Sequence, residues 1–330
     1  MPMYFSRLRR TLVASLLLPA AALLAPAAHA ADPWPTKPIQ LVIPYPPGGS
    51  ADLLGRPLAV QLQQQLGQPV VLEYKPGAGG TLATQYLARA KPDGYTVLMV
   101  LAAHAINDSL YPKLPYDTRK DFAPVSWVAN LPMVVAGSSK LPAKNIQELI
   151  QAAKAAPDKL TFGSAGNGNT GHLAAEYFSS IAGIKMTHVP YKGSAPALTD
   201  VMAGQVDLMF DTMLSSMPHV KAGKLKALGV TSAQRSSVAP DLPTVAESGL
   251  SGYEAIAWNG LLAPTGAPKE VIARLNTELK AVLESPDIRQ RFEAQGFAST
   301  WNTPAAYGSF LQSEVDKWAK VVKASGAKID

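Results

Sequence analysis

Short apolar runs alternate with stretches of helical period along most of the chain. Ile39 to Tyr45 is an apolar run of strand length. After a glycine turn, Leu54, Leu58, Leu62 and Leu66 recur every fourth residue, the spacing of one helix face. Val70 to Tyr74 and Thr96 to Leu101 predict two more strands, with a glycine turn and a helix to Ala90 between them. Strands separated by helices in this way predict βαβ units and parallel sheets. Val125 to Gly137 is extended and apolar but broken by Pro132, and reads as a first crossing between domains. A second set follows: helix Asn145–Ala155, strand Leu160–Gly163, helix Gly171–Ile181, strand Met186–Tyr191, helix Ala195–Met202 and strand Val206–Asp211. Ala255 to Ala263 reads as the return crossing. The tail is helical, with one stripe of Val271, Leu275, Leu279 and Val282 and another of Tyr307, Leu311, Val315, Trp318 and Val322. The expected organisation is a discontinuous domain, 31–131 with 255–330, and a second domain, 132–254, with the two crossings as hinge.

The first thirty residues change the picture. Arg7, Arg9 and Arg10 precede an uncharged apolar stretch from Thr11 to Leu24, and Ala28-His29-Ala30 is an A-x-A cleavage site. The stretch falls short of the roughly 20 residues of a membrane span. A signal peptide over 1–30 is expected, cut before Ala31, leaving a soluble exported chain in a periplasm-like compartment. Loss of its three arginines lowers the net charge from +6 to +3, a mild balance that fits an anionic ligand only weakly. No basic run interleaved with aromatics is present, so nucleic acid is not an expected partner. The absence of cysteine excludes disulfides, thiol catalysis and Cys-ligated metal. No metal or cofactor is expected.

Three turns carry the candidate chemistry, all at predicted C-terminal strand ends, where open α/β sheets bind ligands. They are Pro44–Asp52 (PYPPGGSAD), Pro76–Thr81 (PGAGGT, with Gly79 and Gly80) and Gly163–Gly171 (GSAGNGNTG). Each combines glycine with small hydroxyls and opens a helix, whose unpaired N–H groups and positive dipole end suit an anion. The alternative for any single turn is ordinary capping, by Ser50 or Thr170. Gly166, Gly168 and Gly171 fit a dinucleotide fingerprint, but the next strand ends in Pro-Tyr-Lys with no acid to hold a ribose, so NAD is rejected. No nucleophile elbow, phosphate loop or zinc-protease helix is present, and an enzyme is not expected. His104 follows a strand and could reach the cleft; His172 opens a helix. Tyr45 and Tyr191 either wall a ligand or pack. Asp211 is either a cleft carboxylate or a helix cap, and Lys192 is the cation beside a candidate turn. The pieces Pro44-Tyr45…Gly49-Ser50-Ala51 and Pro190-Tyr191…Gly193-Ser194-Ala195 form a faint internal echo.

PYPPGGSADLLGR, KPGAGGT, AKPDGYTVL, TFGSAGNGNTGHLAAE, HVPYKGSAPALTDVMAGQVDLMFD and WNGLLAPTGAPKEV together resemble the substrate-binding proteins of tripartite tricarboxylate transporters, the Bug receptors. The resemblance covers nearly all of the chain after the leader. It implies an α/β, two-domain periplasmic-binding-protein (Venus-flytrap) fold with parallel-rich sheets flanked by helices. It also implies a receptor that hands a small organic acid to the membrane subunits of a transporter, and a monomer is expected. Carried over by motif, it points to Tyr45, Gly48, Gly49, Ser50 and Asp52 on one side of the ligand, and to Ser164, Ala165, Asn169 and Thr170 on the other, with Asp211 the aspartate after the VDLMF strand. Asn169 stands where similar proteins carry a serine or threonine. Two other readings remain open: a ligand sensor feeding a signalling system, and an exported hydrolase or isomerase using Asp211 and a histidine.

Overall fold

The computed structural model describes residues 34–329; the expected leader and its cleavage site lie outside them. A first sheet holds β1 (Ile39–Ile43), β2 (Val70–Tyr74), β3 (Thr96–Leu101), β4 (Phe122–Leu131), β10 (Ala257–Pro264) and β11 (Ala298–Ser299) in the order β2-β1-β3-β10-β4-β11. A second holds β5 (Met133–Ser138), β6 (Thr161–Ser164), β7 (Thr187–Pro190), β8 (Leu208–Thr212) and β9 (Leu225–Val230) in the order β7-β6-β8-β5-β9. Both sheets are mixed rather than parallel throughout. β1 runs parallel to β2 and β3, and β6 parallel to β7 and β8. The strands that pass between the sheets pair antiparallel. The apolar stretch Val125–Gly137 is thus two strands, β4 and β5, one in each sheet. Between them stands Pro132, which has no N–H for a ladder, and its carbonyl accepts the Met213 N–H at 3.1 Å.

The helices are α1 (Ser50–Leu66), α2 (Thr81–Ala88), α3 (Ala103–Leu110), α4 (Ile146–Ala155), α5 (Thr170–Ala182), α6 (Ser194–Ala203), α7 (Met213–Lys221), α8 (Lys269–Glu284), α9 (Pro286–Ala294) and α10 (Pro304–Ser325). α1 buries Leu54, Leu58, Leu62 and Leu66 as their spacing requires, and ends at left-handed Gly67. The two sheets repeat one connectivity, β1-α1-β2-α2-β3 and β6-α5-β7-α6-β8, so β1 corresponds to β6 and β2 to β7. The sequence echo therefore falls on non-equivalent strands, the ends of β1 and β7. The structural counterpart of the first turn is the third turn, after β6.

One continuous apolar cluster runs from Val42, Leu98 and Trp258, on the first sheet, through Leu311 and Trp318 of α10 to Phe178 of α5 and to Phe162 and Phe210 on the second sheet. Burial of each large side chain contributes about 1.5–3 kcal/mol. α10 packs on α3, β4 and α5. Within this core the Glu314 Oε2 accepts both indole N–H groups, Trp258 at 2.8 Å and Trp318 at 3.0 Å, and Lys317 pairs with its other oxygen. These donors are what make a buried carboxylate tolerable.

Candidate functional site

In the first turn, the extended N-cap of α1 is Gly49, which brings no side chain to the helix start, and Ser50 is the first helical residue. The Ser50 hydroxyl is therefore not the cap. Asp52, buried, ties the turn down: its carboxylate accepts the Gly48 N–H at 2.8 Å, bonds the Tyr74 hydroxyl and pairs with Arg56 Nε at 2.8 Å. Burial alone would raise this carboxyl, but the bonds from Tyr74, Gly48 and Arg56 outweigh it and hold it below the ordinary carboxylate range. Arg56 is thereby committed to the fold.

The second turn is held by its carbonyls. Gly79 O accepts from the Tyr45 hydroxyl at 3.2 Å and from Asn107 Nδ2 at 3.0 Å, Ala78 O from the Tyr111 hydroxyl at 2.8 Å, and Gly80 O from Thr84 Oγ1 at 3.0 Å. Burial, helped by Tyr111, pushes the Tyr45 phenol up to about 12, so it donates as a neutral hydroxyl. Tyr45, Gly79, Gly80, His104 and Asn107 share a crevice of about 10 Å³, the size of one water. His104 is fully packed, 5.4 Å from the Phe122 ring and 6.4 Å from Tyr116, and burial lowers its pKa to about 4.

In the third turn Asn169, not Thr170, caps α5: its Oδ1 accepts the His172 N–H at 2.7 Å. That leaves the N–H groups of Thr170 and Gly171, together with the Thr170 hydroxyl, at the helix start. The Asn169 amide thus spends its oxygen on the helix and keeps only its NH₂ for a ligand. Ser164, fully buried, bonds His188 Nε2 at 2.6 Å, and its Oγ accepts the Gly166 N–H at 3.2 Å. Ala165 is half-buried, and its carbonyl accepts the Gly193 N–H at 3.2 Å. Glycine at 171 allows α5 to start against the β8 backbone: a Cβ there would lie 2.2 Å from Phe210 O.

Behind the third turn, Asp211 is buried and accepts three hydroxyls: Ser194 at 2.7 Å on one oxygen, Ser215 at 2.6 Å and Ser216 at 3.1 Å on the other. It does not cap α7, whose N-cap is Thr212. It ties the start of α6 to α7. The Tyr191 hydroxyl donates to Asp200 at 2.6 Å, and burial, then Asp200, raises it to about 12. Lys192 is exposed. With Arg56 committed and Lys192 in solvent, the means of holding an anion at these turns are helix-start N–H groups and small hydroxyls.

The structure thus gathers Tyr45, Gly79, Gly80 and His104 at the first sheet's strand ends, beside Gly48, Gly49, Ser50 and Asp52. It gathers Ser164, Ala165, Asn169, Thr170, Tyr191 and Asp211 at those of the second. A larger groove of about 800 Å³ contains none of them; it lies at the crossings, lined by Pro132 and Ile256 together with Arg235, Arg289 and Trp301. Sequence reasoning missed Asn107, Leu110 and Tyr111, because α3 is eight residues long and was not read as an element. It also missed Ser215 and Ser216 as partners of Asp211, and His188 as the partner of Ser164.

A sequence profile described as "Tripartite tricarboxylate transporter family receptor" matches residues 54–327. The chain is 37% identical over 301 residues to "Protein BugT" of Bordetella pertussis (strain Tohama I), covering 91% of this chain and 92% of that one. The structure "R. palustris Rpa4515 with adipate" superposes with a TM-score of 0.79 at 36% identity, over 90% of this chain and 100% of the other. "MatC (Rpa3494) from Rhodopseudomonas palustris with bound malate" superposes with a TM-score of 0.76 at 32% identity, over 88% and 100%.

Proposed function

The chain belongs to the tripartite tricarboxylate transporter receptor family, and on that premise we propose that it captures a di- or tricarboxylate, or a related organic acid, for a tripartite transporter. The observation that carries this reading is the pairing of two helix starts. α1 and α5 follow equivalent strands of the two sheets, and each presents a hydroxyl, Ser50 and Thr170, that its own cap does not use. One ligand carboxylate held between them gains charge-assisted bonds from N–H and O–H donors. The family is one of transport receptors, which bind rather than turn over their ligands. Solved relatives carry adipate and malate, both dicarboxylates.

In this reading the chain is exported to the periplasm and cut after Ala30. Two lobes, 31–131 with 255–330 and 132–254, close on the acid about the crossings near Pro132 and Ala255. The membrane subunits of the transporter then receive the closed form. A thermal-shift screen of organic acids, followed by calorimetry, tests the proposal: one or more di- or tricarboxylates should raise the melting temperature in a concentration-dependent way. Stabilisation by none of them, with a response to uncharged solutes instead, would refute it.

A further inference from the structure

We propose that His172 and His188 are positioning residues for the third turn: two stacked imidazoles from which Ser164 and Gly168 hang, so that the N–H groups opening α5 are aimed at the ligand. The inference rests on the proposed capture of a carboxylate by that turn. His172 sits in the first turn of α5 and is buried. Its Nδ1 accepts the Gly168 N–H at 3.1 Å, so the ring proton is on Nε2, 3.7 Å from Glu176. His188 comes from β7. It stands beside Phe162 in the β6–β7 register, on the face that Ser164 shares by strand alternation. Its Nε2 is 2.6 Å from Ser164 Oγ. The two imidazoles stack with centroids 3.8 Å apart and planes 9° from parallel, and Phe162 stacks on His188 at 4.9 Å.

The turn is therefore fixed at two points four residues apart, each by one ring nitrogen, and the rings brace one another. Packing alone would ask only for flat apolar rings. Here a nitrogen of each ring faces a polar group of the same turn, and Thr170 and Gly171 follow directly. Charges on both rings at once would repel at 3.8 Å. Burial, and then His172 itself, pushes His188 down to about 3.

The test separates the brace from simple packing. His172→Phe keeps the stack and removes the acceptor; His172→Asn restores an oxygen near the Nδ1 position. His188→Phe and His188→Gln do the same for Ser164. Hydrogen exchange of the ligand-free protein by NMR should show the Gly168 amide losing at least tenfold protection in His172→Phe. The Gly166 amide should lose as much in His188→Phe. Amides of α8 should be unchanged, and the Asn and Gln variants should recover most of the loss. Calorimetry with adipate and malate should show the Phe variants binding at least tenfold more weakly whichever acid the wild type binds. Unchanged Gly168 protection, or a uniform loss across the whole protein, would overturn the proposal. If the Phe variants do not fold, the wild-type imidazole tautomers decide: a His172 ring protonated at Nδ1 overturns it, and one protonated at Nε2 supports it. Should the wild type bind neither these nor any other organic acid, the capture reading falls, while the exchange rates still judge the brace.

Discussion

A side chain on Gly168 would collide with Leu110, because a Cβ there would lie 2.1 Å from Leu110 Cδ2. The two residues belong to elements on different sheets, the third turn and α3. The same short helix holds the second turn through Asn107, and Tyr111 just beyond its end holds it too. α3 and the residue after it thus touch two of the three candidate turns, one at the strand ends of each sheet.

Gly168→Ala should lower stability by about 2–4 kcal/mol. Part is the cost of a side chain at φ +74°, about 1–2 kcal/mol, and part is overpacking against Leu110. Leu110→Ala should also destabilise, but the double variant should be less destabilised than the sum by at least about 0.5 kcal/mol, since the second change makes room for the first. Urea denaturation of the four proteins measures the coupling; strict additivity would mean that the contact does not exist in solution.

Ser50→Ala and Thr170→Ala remove hydroxyls that cap nothing, so stability should stay within about 0.5 kcal/mol of the parent. Affinity for the acid should weaken by about 1–3 kcal/mol in each. Asn169→Ala should do something different: it loses the cap on α5 and costs about 1 kcal/mol of stability. Calorimetric titration beside thermal denaturation separates the two classes. Full affinity in both hydroxyl variants would remove Ser50 and Thr170 from the site.

Asp211→Asn leaves one oxygen and one NH₂ facing three hydroxyls that all now donate. At least one serine must reverse or go unpaired, at about 1–3 kcal/mol. Stability should therefore fall together with affinity, because the start of α6 loosens. Unaltered stability with lost affinity would instead make Asp211 a direct acceptor from the ligand.

Acid should destabilise the protein well above the ordinary carboxylate range. His104 titrates near 4 in the fold against an ordinary 6.5, so the unfolded chain takes up its proton first. Its contribution is complete above pH 6.5 and is lost as the pH falls from 6.5 to 4. The loss is on the order of 3 kcal/mol. His188, lowered to about 3, acts in the same direction. Asp52, lowered by its partners, adds a further loss only below the ordinary carboxylate value. His104→Phe keeps the contacts with Tyr116 and Phe122, and the His104 Nδ1 it removes has no hydrogen-bond partner. Denaturation at pH 7 and pH 4.5 should show a smaller difference in this variant than in the parent.

Strands whose apolar run is bounded by turn residues were legible to the residue: Val70–Tyr74 and Thr96–Leu101 are β2 and β3 as read. α1 starts four residues before its leucine repeat, since Ser50 and Asp52 look like turn residues until the helix start needs them. β9, β11, α3 and α9 were not read. Pro132 marked the crossing, but antiparallel pairing of the crossing strands is a property of the sheet order, which no local pattern carries. In the candidate site, the placing of the turns at strand ends was legible and the hydrogen-bond partners of their side chains were not. The choice of Asn169 over Thr170 as cap is made by backbone angles. The approach of His188 to Ser164 is made by the register of β6 on β7. The serines on Asp211 come from two helices that only the folded chain brings together.

The shared carboxylate of Glu314 turns the interior into an optical gauge. Trp258 lies on the returning strand and Trp318 on the last helix, and both indole N–H groups donate to the same oxygen. Indole emission responds to a nearby negative charge, so any slide of that strand against α10 would lengthen one bond and recolour the fluorescence of that tryptophan. Single-tryptophan versions would then time the motion of the strand on mixing with an acid, with no label attached.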